Sequence, residues 1–223
     1  MQSRFPIITV VAIAALATAC LGGTTETPST GPYFVITAYG GTRDTMILAA
    51  SSATTVRAQV THAGSPAIGA PVFWTDSGGD SRVVNASLAT DTLGIASATW
   101  VASNSVRVDS LTLTTSDGTK HLFIGQVVPG PPSILTRVTA SPDSVTAGAG
   151  ATITAKVTDR SGNPIANAIV DWSASSGTLS AGSAPTNSSG VSTVTFTPPS
   201  PGTYAVTADL PNTASIIFTV VAK

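Results

Sequence analysis

Charge is scarce in this chain: 9% of its 223 residues are charged and the formal net charge is −1. Nucleic acid or an anionic membrane surface, drawn in by electrostatic steering, would need a basic excess that is missing. The few basic residues, from Arg43 and Arg57 to Lys120, Arg137 and Lys156, are spread along the sequence, whereas nucleic-acid binding gathers them on one face. Glutamate is reduced to Glu26 and aromatics to 5%. Surface helices therefore lack their usual formers, while Val, Thr, Ser, Ala and Gly supply strands and turns, so an all-β fold is expected. Cysteine occurs once, at Cys20, which excludes an intramolecular disulfide.

The residues of catalysis are as sparse. His62 and His121 have no second His, Cys or Glu at ligand spacing, so neither reads as a metal site. Many Ser and Thr are present, but none stands in a Gly-x-Ser-x-Gly turn and no His is paired with an acid along the sequence. The nearest approach to an acidic cluster is Asp76-Ser-Gly-Gly-Asp80. Its form suits a loop around Ca²⁺, yet that ion takes six to eight oxygens and two carboxylates are few. No cofactor is expected, and the chain is expected not to be an enzyme.

The first twenty residues, MQSRFPIITVVAIAALATAC, have one positive charge at Arg4, an apolar run from Phe5 to Ala17, and small residues before the cysteine. This is an export signal over residues 1–19. The run of about 13 apolar residues is shorter than the roughly 17 to 25 that span a bilayer. Ala17-Thr18-Ala19-Cys20 resembles the lipobox of bacterial lipoproteins, with Leu16 one place earlier than that motif prefers. The resemblance implies that Cys20 is lipidated and anchors the chain to a membrane, and that Leu21, where an Asp would retain it in the inner membrane, sends it to the outer membrane. Residues 20–32, rich in Gly, Thr and Pro, read as a flexible tether.

The rest of the chain repeats. Val56-Arg-Ala-Gln-Val-Thr-His-Ala-Gly-Ser-Pro66 and Val72-Phe-Trp74 match Ile153-Thr-Ala-Lys-Val-Thr-Asp-Arg-Ser-Gly-Asn-Pro164 and Val170-Asp-Trp172. Asp91-Thr-Leu-Gly94 through Trp100 matches Asn187-Ser-Ser-Gly190 through Phe196. The period of about 96 residues is too long for a solenoid unit and right for a complete sandwich. Two domains are expected, over 33–128 and 134–223, joined by a stiff Pro-rich linker at 129–133.

In the second copy, period-two alternation puts Ile153, Ala155 and Val157 on one face, toward the core. Turn residues then separate about seven short strands, from Ile134–Ala140 to Ile216–Val220, as in a β-sandwich. The first copy follows the same plan, except that Val106 to Leu113 does not align with Tyr204 to Ala208 in one register.

Asp159-Arg-Ser-Gly-Asn-Pro164, Val170-Asp-Trp172, Gly177-Thr-Leu179, Asn187-Ser-Ser-Gly190-Val191 and Pro201-Gly202-Thr-Tyr-Ala-Val206 together resemble the bacterial immunoglobulin-like domain of group 1, the invasin and intimin type. The resemblance covers the second copy well and the first more loosely. It implies two tandem immunoglobulin-like β-sandwiches, with Trp74 and Trp172 as the core tryptophans, and the repeat itself pairs Trp100 with Phe196 as further core residues. It also implies a cell-envelope protein serving as a structural spacer or an adhesion and interaction module. A carbohydrate- or surface-polymer-binding module is the alternative, with Tyr33, Phe34, Tyr39, Phe73 and Tyr204 as candidate stacking residues, and an accessory subunit of an envelope complex is a third. The partner, protein or glycan, is not legible, nor is periplasmic as against cell-surface facing.

Overall fold

The structure, a computed structural model, describes residues 33–140 and 143–223. Those residues form eighteen strands and no helix. The first sandwich contains β1 (Phe34–Ala38), β2 (Thr45–Ala49), β3 (Ala53–His62), β4 (Ser65–Pro66), β5 (Val72–Asp76), β6 (Arg82–Val84), β7 (Ile95–Val101), β8 (Val108–Thr115) and β9 (Lys120–Val128). The second contains β10 (Ile134–Arg137), β11 (Asp143–Val145), β12 (Ala151–Thr158), β13 (Ile169–Ala174), β14 (Thr178–Leu179), β15 (Ser183–Pro185), β16 (Val191–Thr197), β17 (Gly202–Leu210) and β18 (Ala214–Ala222).

Each sandwich packs two sheets. In the first they run β1-β3-β7-β6, with β4 beside β3, and β2-β9-β8-β5. In the second they run β10-β12-β16-β14 and β11-β18-β17-β13-β15. There are nine strands per copy rather than the seven or so expected, because the lead strand divides between sheets and short strands such as β4, β14 and β15 form beside the long ones. β1 pairs antiparallel with β3, then Gly40 and Gly41 turn at φ of 65° and 87°, and β2 pairs parallel with β9. β10 and β11 repeat the exchange on β12 and β18. By closing one edge of each sheet, the divided strand ties the two layers together at the point where the chain comes in.

Alternation places the cores. Ile153, Ala155 and Val157 are fully buried, as are Val56, Ala58 and Val60 in the first copy. Trp172 is 4% exposed and stacks on Phe218 at 5.9 Å between ring centroids; Trp74 stacks on Phe123 at 6.2 Å but is only half-buried. These stacks fix the register that the sequence leaves open. Leu111 pairs with Phe123 and Val206 with Phe218, so Leu111 corresponds to Val206, Asp109 to Tyr204, and Gly125 to Val220.

The two copies therefore fill one end of the core differently. In the second, Phe196 lies 5.7 Å from the ring of Tyr204, whose hydroxyl donates back to the Ser200 carbonyl at 2.9 Å. Such a tyrosine corner pins the loop before the strand. In the first, the larger Trp100 is wholly buried and Gly125 makes room: a Cβ there would stand 2.8 Å from the indole. Asp109, also wholly buried, replaces the tyrosine and pins its loop by accepting from the Ser103 amide at 2.9 Å and pairing with Arg107 Nε at 2.6 Å.

Candidate functional site

The most elaborate polar site is the junction of the two sandwiches, and it is built from turns. Asp159 ends the strand run that Val157 and Thr158 continue, and the Ser161-Gly162-Asn163-Pro164 turn folds back over it. Its Oδ1 accepts from the Ser161 and Asn163 amides at 2.8 and 2.9 Å, and its Oδ2 from Asn163 Nδ2 at 2.8 Å. The remaining bond reaches out of the domain: the Gly130 amide of the linker donates to Oδ2 at 2.8 Å. Burial works to raise the carboxyl pKa, but the Asn163 side chain and the Gly130, Asn163 and Ser161 amides outweigh it and hold the group below its ordinary value. Charge-assisted bonds of this kind are about twice as strong as neutral ones.

From Asp159 the network crosses into the first sandwich. Asn163 Nδ2 also donates to the Asn104 carbonyl at 2.7 Å, and the Ser51 hydroxyl bridges Asn104 Oδ1 at 2.6 Å and Ser161 Oγ at 3.0 Å. Asn104 is itself fixed by its amide donating to Asp80 Oδ2 at 2.7 Å. A cleft of about 380 Å³ lies beside these bonds, walled by Ser51, Pro131, Pro132 and Arg160. The prolines carry no amide to satisfy, so the linker needs only Gly130 and Ser133 tied, and Ser133 donates to the Thr158 carbonyl at 2.9 Å.

A second carboxylate holds the chain where it enters the first sandwich. Asp117, in the turn between β8 and β9, accepts from the Phe34 amide at 3.0 Å and from Thr115 and Thr119. Burial again pushes its pKa up, and the Thr115 hydroxyl, the Thr119 and Phe34 amides and the Thr119 hydroxyl bring it far below the usual carboxylate range. Both lowered acids thus grip the backbone of an incoming segment. In sequence Asp159 stands out only as the head of its turn motif and Asp117 not at all, although one further signal is present: at the end of the matched strand His62 stands where the second copy has Asp159.

Cys20 and the leader lie outside the described residues. Trp100 and Phe196 are fully buried. Trp172 Nε1 donates to Ser192 Oγ at 3.1 Å, whereas Trp74 Nε1 and Trp100 Nε1 find no hydrogen-bond partner among the described residues. Asp76 accepts from the Gly78 amide at 2.7 Å, and Asp80 accepts from the Asn104 amide at the junction. Among the described residues no three His, Cys, Asp or Glu side chains are grouped as a metal would need. The fold does create one pairing invisible in sequence, His121 Nε2 with Asp44 Oδ1 at 2.8 Å across 77 residues. With the imidazole 4.7 Å from Phe123 and the Asp44 carbonyl accepting from Ile124, it fastens β9 to the segment before β2.

The candidate stacking aromatics are not on one face. Tyr204 is used in its corner and Phe34 packs on His62 at 5.2 Å, while Tyr33 precedes β1 of one sheet and Phe73 stands on the other.

Residues 135–221 match the Bacterial Ig-like domain (group 1), which spans the second sandwich from β10 to β18. Among solved structures, the chain is similar to the Escherichia coli adhesin FdeC at 18% identity and a TM-score of 0.58, over 85% of this chain and 64% of that one. It is also similar to the D00-D0 domain of intimin, at 20% identity and a TM-score of 0.48, over 86% of this chain and 100% of that one. Yersinia pseudotuberculosis InvD gives 20% identity and a TM-score of 0.49, over 85% of this chain and 57% of that one. None of the curated protein sequences matches the chain. At such identities the likeness to FdeC bears on fold: two tandem immunoglobulin-like sandwiches, the second carrying the group 1 sequence pattern.

Proposed function

We propose that this protein is a non-catalytic, lipid-anchored component of the cell envelope, in which two immunoglobulin-like domains act as a spacer that holds an interaction surface away from the membrane. The junction is the observation that carries the reading. A spacer must transmit orientation, and here the bond from Gly130 to Asp159 and those from Asn163 and Ser161 to the first sandwich hold linker and domains in register. A stiff linker alone limits the path of the chain without fixing the angle between the domains, and interfaces between domains of one chain are commonly mobile. Several polar side chains that chemistry would draw on hold the fold instead: Asp80, Asp117 and Asp159 accept from backbone amides, and His121 is tied to Asp44.

The anchoring part is supported by the lipobox-like Ala17-Thr18-Ala19-Cys20 and by the Gly- and Thr-rich stretch that follows. Fractionation of cells producing the wild type and Cys20→Ser tests it, with proteolysis of intact cells to report which side of the envelope the domains face. Wild type in the membrane fraction and Cys20→Ser in the soluble fraction is the expected result. A wild type that is already soluble removes the anchor from this reading and leaves the spacer.

A further inference from the structure

Because the two sandwiches share one fold, each is a control for the other: where an exposed position differs between them, the fold does not demand the difference. The outer face of the β2-β9-β8-β5 sheet differs most in character. Ile47, Phe73, Val108 and Leu122 stand on it at 73, 60, 65 and 50% exposure, with Ile124 and Val128 along the same strand as Leu122. Between them are Thr, Ser, Gln and Ala, and the one charged group is Lys120 at the rim. Strand pairing gives the matching positions in the second sandwich: Ser144 for Ile47, Asp171 for Phe73, Thr203 for Val108, Asp209 for Thr114, and Ile217, equally exposed, for Leu122. The second domain's face keeps apolar Ile169 and Ile217 but carries the Asp171 and Asp209 carboxylates, whereas the first adds Ile47, Phe73 and Val108 and has no carboxylate.

We infer that the outer face of the β2-β9-β8-β5 sheet is a self-association surface, on which a second copy of this chain packs sheet to sheet. Charge favours a second copy over a basic or acidic partner, since two such faces meet without opposing like charges except at the Lys120 rim. Two copies of the second domain's face would instead bring the Asp171 and Asp209 carboxylates together, so the contact is specific to the first domain. Size makes the contact a weak one. Four strands at about 4.8 Å spacing and about 23 Å mean length present roughly 450 Å² per copy before side-chain relief is added. A pair then buries roughly 900 Å² or somewhat more, at the weak end of specific interfaces and the upper end of chance contacts. The dimer is accordingly weak in dilute solution and gains where copies share one surface and so a high effective concentration. Facing sheets of this kind pack about 10 Å apart with strands aligned within about 30°. Burying Phe73 and Ile47 supplies the affinity, and the Thr and Ser side chains between them need few fixed partners.

The test uses the full chain in producing cells, with the photoreactive residue p-benzoylphenylalanine placed at Gln126, in the middle of the face, or at Val221, its counterpart in the second domain. Irradiation is expected to give an adduct of twice the chain mass from Gln126, at several times the yield from Val221. Phe73→Asp, the second domain's own residue at that position, is expected to lower the adduct at least fivefold, and Ile47→Ser, tested separately, at least twofold. Sedimentation of the purified full chain should show dimer rising with concentration, and less of it for both variants. No self-adduct at Gln126, equal yield at Val221, a Gln126 adduct made up of another protein or a glycan, or an adduct untouched by both substitutions would each overturn the assignment.

Discussion

In the second sandwich the indole N–H of the core tryptophan meets Ser192, whose hydroxyl passes the bond on to the Ala184 carbonyl at 3.0 Å. In the first, the repeat puts Ala96 in that place, and Trp74 Nε1 is left without a partner among the described residues. Nor is this the sole exchange. Phe196, Tyr204 and Val220 in the second copy become Trp100, Asp109 and Gly125 in the first, a large-for-small trade around one end of the core. The turns are conserved by contrast. Gly94 and Gly190 sit at φ of 72° and 75°, and a Cβ on either would come within 2.7 and 2.5 Å of the Val60 and Val157 carbonyls. Thr90 and Thr186 each accept one backbone amide and donate to one carbonyl across the same loop. What persists between the copies is the backbone path. Core volume is redistributed around it, which agrees with the tolerance of packed cores for compensated exchange and their intolerance of single steps.

The sharpest way to break the comparison is to remove each tryptophan in turn. Trp172→Ala, at a site 4% exposed, should cost about 3 to 5 kcal/mol, as for a buried aromatic. Trp74→Ala should cost about half as much, roughly 2 kcal/mol, since its ring is half-buried and its N–H already unpaired. Urea unfolding of the whole chain gives both values, with two transitions distinguished by far-UV signal and by the surviving tryptophans. Equal losses at the two positions would show that the copies are not packed as described.

Next in size is the trade itself. Gly125→Val gives the first copy the second's residue beneath an indole that has no room for it, and should cost about 3 kcal/mol. Trp100→Phe alone leaves a cavity and should cost about 1 to 3 kcal/mol. Made together, the two substitutions restore the second copy's pair and should cost less than their sum by at least about 1 kcal/mol, a coupling that a double-mutant cycle measures. Strict additivity would show that Trp100 and Gly125 do not share the space.

How far such matters were legible follows from what kind of signal each left. Ile153, Ala155 and Val157 were readable because alternation is a local pattern, and the pairing of Trp74 with Trp172 because a repeat aligns them. The split of the lead strand was not, since a parallel partner for β2 comes from β9, some 80 residues away, and leaves no periodicity of its own. The register of Val108–Thr115 was hidden for a further reason. Asp109 in a strand reads as a surface residue, and only the fold shows it buried against Arg107 and the Ser103 amide in place of a tyrosine. Asp159 was legible as a turn residue, and the junction it organises was not, because its partners Gly130 and Asn104 belong to other segments.

A smaller effect sharpens the comparison at the indole N–H. Ser192→Ala leaves Trp172 Nε1 unpaired, and should destabilise the second sandwich by roughly 1 to 3 kcal/mol. Ala96→Ser offers Trp74 the partner it lacks, at a position with no exposure, and should stabilise the first by roughly 0.5 to 1.5 kcal/mol. The opposite signs are the test, read from the same urea curves. A loss in the first sandwich would mean that the added hydroxyl is buried without reaching the indole.

The two acid clamps give the smallest and most local effect, and their sign follows from the direction of their shifts. Asp117 and Asp159 both hold pKa values in the folded chain below the ordinary carboxylate value of about 3.9. In the window between the folded and unfolded values the unfolded chain binds the more protons, so each clamp contributes fully above about pH 4 to 5 and is lost as pH falls through its folded value. The two should part when one is removed. Asp159→Asn keeps one acceptor oxygen where two oxygens served four donors, and sets an NH₂ against backbone amides. Hydrogen exchange at neutral pH should quicken about tenfold or more at Gly130, Ser161 and Asn163 while Phe34, held by Asp117, keeps its protection. Acidification of the wild type through the lowered pKa of Asp159 should release the Gly130 amide without the substitution, because protonating Asp159 removes the charge that its four donors share. If Gly130 were equally protected in Asp159→Asn, the junction would owe its register to the prolines and to Asn163 on Asn104, and the clamp would be a turn residue of the second domain alone.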